Sequence, residues 1–134
     1  MNLRNLFRVS AVILLISGLQ TLLAPQATPD ALGIESTPYT LFVVQILGTY
    51  NLSLAVLAFL VSGMAHSPAR QAVMTSFILQ QLLAGIINVV GVIGGVVPGA
   101  GGLPLAGLNF LFALAFAYFR FIRPEPDMTP GLQS

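Results

Sequence analysis

The residues in this sequence whose types and spacing suit chemistry are carboxamides. Gln45 and Asn51 flank Gly48 in one apolar run, with Thr49 and Tyr50 between them. Gln81 and Asn88 flank Gly85 in another, and Gln20 and Asn109 lie in two more. Amides offer neutral hydrogen bonding, with donor and acceptor on one group. In hydrocarbon an unpaired amide costs several kcal/mol, so these groups should turn inward and pair. Two readings stay open. The amides are packing contacts between helices, or they line a small polar cavity formed by Gln20, Gln45, Asn51, Asn88 and Asn109. Tyr50 then closes that cavity or points its hydroxyl at a partner.

Charged groups are missing from the same runs. No Asp, Glu, Lys, Arg or His falls in their interiors. General acid–base chemistry draws on such side chains, as do intramembrane proton relays. The single histidine, His66, sits in a loop and reads as a surface residue. Asp30 and Glu35 share another loop and read as solvated charges, while Arg120 and Arg123 suit a helix C-terminus facing anionic head groups. There is no cysteine, which removes thiol chemistry and disulfides. The sequence holds no phosphate loop, nucleophile motif or cofactor fingerprint. An enzyme is therefore not the expected reading. No catalytic residue, metal ligand or cofactor is assigned, and nucleic acid is not an expected partner.

The elements that must position the amides follow from composition. Of 134 residues, 56% are hydrophobic and 7% charged; the mean hydropathy is +0.91. Soluble domains carry about a quarter charged residues, so this chain lacks the charge to cover a water-facing surface. A spanning helix needs roughly 20 apolar residues, and four runs qualify: 6–24, 39–63, 71–97 and 103–122. The expected fold is all-α, a four-helix transmembrane bundle forming a single integral membrane domain over 1–134.

Proline marks the boundaries. Pro25 ends the first span, Thr37-Pro38 and Ser67-Pro68 read as N-cap and first-turn proline of the next two, Pro98 ends the third, Pro104 starts the fourth and Pro124 stops it. No proline is expected inside a span. The segment 31–34 has the composition of a short interfacial turn, and 124–134 that of a mobile tail. All five basic residues, Arg4, Arg8, Arg70, Arg120 and Arg123, fall on one side of a four-span chain. The positive-inside rule makes that side cytoplasmic, with both termini inside. The alternative is a cleaved signal peptide over 1–27, which would leave three spans.

Gly48, Gly85, Gly91 and Gly95 are the expected helix-packing glycines, the last two forming a GxxxG that Ala113 and Ala117 match on the fourth span. The series Phe7-Arg8, Gly18-Leu19, Leu22-Leu23-Ala24-Pro25 and Leu32-Gly33-Ile34, followed by a helix with Gly48 and Asn51, resembles the DoxX-like group of small bacterial membrane proteins. That resemblance implies a four-span bundle. Redox roles associated with some members gain no support from a chain without cysteine or intramembrane histidine. The expected function is a non-enzymatic multi-pass protein of the bacterial inner membrane. It serves as an accessory subunit or packing partner for another membrane protein or a second copy within the lipid bilayer. The alternative is a binder or carrier of a small neutral or lipophilic molecule in the amide-lined cavity.

Overall fold

The computed structural model describes residues 2–123. The tail 124–134 and the stop at Pro124 lie outside the described residues. The chain runs α1 (Leu3–Leu23), a short α2 (Ala27–Leu32), α3 (Pro38–Ser62), α4 (Pro68–Ile93) and α5 (Gly99–Ala117), which continues into a π-helical turn at Tyr118–Ile122. The four long helices are each long and apolar enough to cross a membrane. They alternate in direction, so the chain is an up-down-up-down bundle.

Local chemistry sets most helix starts. Asn2, Thr37 and Ser67 cap α1, α3 and α4, each accepting from the backbone N–H three residues on. These caps satisfy donors that the first helical turn leaves free. Four boundaries depart from the expected runs by three or four residues: α1 starts at Leu3 rather than residue 6 and α4 at Pro68 rather than residue 71, and two further changes lie around the α4–α5 connection. The third span stops at Ile93 rather than Val97, because Gly94 caps it and Gly95 takes φ +70°. A left-handed residue cannot continue a right-handed helix. The fourth span starts at Gly99, which leaves Pro104 inside α5 rather than at its beginning. Pro104 stands one and a half turns in, at the cost of the backbone bond its ring forbids.

The helices associate as two pairs, α1 with α3 and α4 with α5. In the first pair, a Cβ built on Gly48 would meet Thr21 Oγ1 and come within 3.1 Å of Gly18 O; one on Gly18 would come within 3.0 Å of Gly48 O. The two backbones touch there, and only glycine on both sides permits it. In the second pair Gly85 lies under the Phe110 ring, 2.7 Å from a built Cβ.

The pairs join at the end that carries Asn2 and Arg123. There Leu6, Phe7, Val61, Met74, Phe77, Phe116 and Phe119 form one buried cluster. The rings of Phe7, Phe77 and Phe116 meet mutually, with centroids 5.9, 5.1 and 5.4 Å apart. Aromatic contacts at such distances add about 0.5–1.5 kcal/mol each beyond burial. All five arginines lie toward this end, whereas Asp30, within α2 rather than in a loop, and Glu35, just after it, lie at the other. Arg70 is buried at the start of α4. His66 is half-buried rather than a plain surface residue, with its Nε2 2.6 Å from Gln71 Nε2.

Candidate functional site

Away from the phenylalanine cluster the two pairs diverge, and a cleft opens between them. Its deeper part, about 360 Å³, is walled by Ser10, Ser17 and Asn51 from the first pair and by Gln80, Gln81, Asn88 and Asn109 from the second. Leu14, Leu105 and Phe112 supply apolar surface between these groups. A second space of about 500 Å³ adjoins it toward α2, sharing Ser17, Leu47, Asn51, Leu105 and Leu108 and adding Gln20, Thr21 and Thr28. Both volumes lie within the range of small-molecule sites. Neither space is lined by a charged residue or a histidine.

Helical geometry explains which amides reach the cleft. Successive residues turn by about 100°, so Gln45 and Asn51 lie roughly 60° to either side of Gly48. Gly48 faces α1. Asn51 is therefore turned into the cleft, where its Nδ2 donates to Ser17 Oγ at 3.2 Å. Gln45 is turned the other way, is exposed, and lines neither space. Tyr50, 62% exposed on the outer surface of α3, also lies outside the cleft. On α4 the spacing works differently. Gln81 and Asn88 are seven apart, about two turns, and both face inward. Asn88 Nδ2 donates to Ala84 O at 2.8 Å.

The structure thus brings together Asn51, Asn88 and Asn109 in the deep part and sets Gln20 at the rim beside α2. Of the packing glycines, Gly48 and Gly85 sit in helix contacts. Gly91 is in the last turns of α4, near Val97. Gly95 is a turn residue with nothing within 4 Å of a built Cβ, so Gly91 and Gly95 do not form a helical GxxxG stripe.

Two lining groups were not singled out from the sequence. Gln80 neighbours Gln81, and the amide–glycine–amide spacing picks out only the latter. Ser10 looks like any serine in an apolar helix, yet it is 3% exposed and its Oγ makes no hydrogen bond among the described residues. Serine hydroxyls in helices commonly bond back to a carbonyl one turn earlier, as Ser53, Thr75 and Ser76 do here. Ser10 lines the foot of the cleft, one turn from Phe7, with its hydroxyl sealed beneath that surface.

No known protein family matches the chain, and neither a curated protein nor a solved structure is significantly similar to it. The chemistry of the cleft therefore stands on its own geometry. It offers neutral donors and acceptors on opposing walls, closed at one end by three aromatic rings.

Proposed function

We propose that the protein is a small multi-pass protein of the bacterial inner membrane that binds a small neutral or lipophilic molecule between its helix pairs. The observation that carries this reading is the uncharged cleft in which Asn51 of the first pair faces Gln81, Asn88 and Asn109 of the second. A ligand carbonyl or hydroxyl in the cleft would meet amide donors and acceptors on both walls, each such bond contributing about 0.5–1.5 kcal/mol. The absence of charge on the walls favours an uncharged guest, since a charged one would lose its hydration without compensation. The clustering of the arginines at one end supports cytoplasmic termini.

Native mass spectrometry of the protein extracted gently from its own membrane tests this. The expected result is a bound species of defined mass that disappears in Asn51→Leu and Asn88→Leu while the helical signal is kept. A bare chain from the wild type, with both variants equally folded, would overturn it.

The accessory-subunit reading has its own support in Gln45. An amide exposed on a spanning helix favours a neighbouring helix that supplies a partner. Crosslinking in the native membrane that finds only the single chain would count against it.

A further inference from the structure

A second groove lies on the outer surface of the α1/α3 pair and shares no residue with the cleft. Its floor is Ala11 and Ala55, both buried to 5% exposure or less. Its rims are Val12 and Leu15 on α1 and Val56 and Phe59 on α3, all exposed. The small floor residues and larger rims make an apolar channel of about 550 Å³. It runs from Arg8 to Leu15, roughly 10 Å along the helix axis. Arg8, exposed, stands at its mouth toward the terminal end of the bundle.

Among the described residues no acid lies beside the charge at that mouth. Arg4 lies in the first turn of α1, where the helix N-terminus already repels a cation, and no acid shares that turn. Arg8 follows four residues later, a spacing at which like charges repel. The described acids, Asp30 and Glu35, lie at the opposite end. A phosphate beside Arg8 would oppose both unfavourable terms together.

We infer that this groove is a binding site for an anionic phospholipid, one acyl chain lying over Ala11 and Ala55 and the phosphate held by Arg8 with Arg4 beside it. A zwitterionic lipid fits the channel equally but brings its own cation to the arginines. Selectivity therefore comes from the mouth and retention from the channel. The site is independent of the proposed ligand in the cleft.

The test is reconstitution in nanodiscs of equal parts phosphatidylglycerol and phosphatidylcholine, gentle release, and weighing of the retained lipid. The wild type should keep phosphatidylglycerol preferentially. Arg8→Gln should reduce that preference about fivefold, and Val12→Trp, which fills the channel from its exposed rim, should reduce retention of both lipids. Arg123→Gln, an exposed arginine at the same end away from the groove, should change neither. No preference in the wild type, an equal loss in Arg123→Gln, or full retention in Val12→Trp would each overturn the proposal. Both groove variants alter lipid-facing side chains, and circular dichroism checks that they fold.

Discussion

Asn51 on α3 donates through Nδ2 to Ser17 Oγ on α1 across 3.2 Å. The bond fixes one wall of the cleft without using up the amide. Among the described residues Asn51 makes no other hydrogen bond, so one N–H and the carbonyl remain for whatever enters. The bond also lies within the α1/α3 pair rather than across the cleft. It holds the site open instead of stitching it shut.

Replacing Ser10 by alanine removes the unsatisfied hydroxyl and almost no volume. That hydroxyl is sealed from the cleft, so guest affinity should be unchanged. The unliganded bundle becomes no less stable, because an unpaired polar atom is gone. Ligand titration alongside thermal unfolding reads both, and a stability loss would show that the hydroxyl has a partner after all.

Gly48→Ala should force α1 and α3 apart, since the new methyl meets Thr21 and the backbone of Gly18. The expected cost is about 1–3 kcal/mol. Gly107 on α5 has nothing within 4 Å of a built Cβ, so Gly107→Ala should be neutral or mildly stabilising. Unfolding in mixed micelles compares the two; similar losses in both would deny the close contact.

At the end of α4 two glycine substitutions should differ in cost. Gly95→Ala puts a side chain at φ +70° and should cost about 1 kcal/mol. Gly91→Ala adds a methyl within the helix, 3.3 Å from Val97 Cγ2, where the gain in helix propensity offsets a small shift. Were Gly95 a helix-packing residue, the order would reverse.

Phe77→Ala opens a hole where three rings meet and should cost about 3–5 kcal/mol. Because that cluster ties the helix pairs together, the loss should appear as wholesale unfolding in detergent. Survival of a folded bundle with an emptied cluster would show that other contacts hold the pairs.

Gln45→Leu and Tyr50→Phe should leave ligand binding untouched, since both residues face away from the cleft. If a partner helix uses that face, the same variants weaken crosslinking to it. A lost ligand in Gln45→Leu would place the binding site on the wrong side of α3.

Much of the architecture was legible in the residues. Four runs of sufficient length gave four spans, and Thr37-Pro38 and Ser67-Pro68 marked helix starts that the structure shows. Azimuth was harder to read. In a water-soluble helix the polar face tells which side is inside, but here core and surroundings are both apolar. Orientation rested on a few polar residues. Gln45 and Asn51 look equivalent by spacing, yet they fall on opposite flanks of Gly48, and only the partner of that glycine decides which faces in. Pro104 and Gly95 misled for a related reason. Proline at a helix start and glycine in a GxxxG are common patterns, whereas the left-handed turn at Gly95 and the earlier start at Gly99 depend on how Val97 and Gly102 pack.

The pairing of α1 with α3 and of α4 with α5 joins spans that follow one another along the chain. Each close contact therefore becomes available as soon as the second member of its pair has left the ribosome, before the rest of the protein exists. Biogenesis then reduces to two hairpins, each formed from local contacts, that meet last through the phenylalanine cluster. A polypeptide cut within 63–67 keeps both hairpins whole, and its two fragments, made together, should find each other in the membrane and rebuild the cleft at their seam.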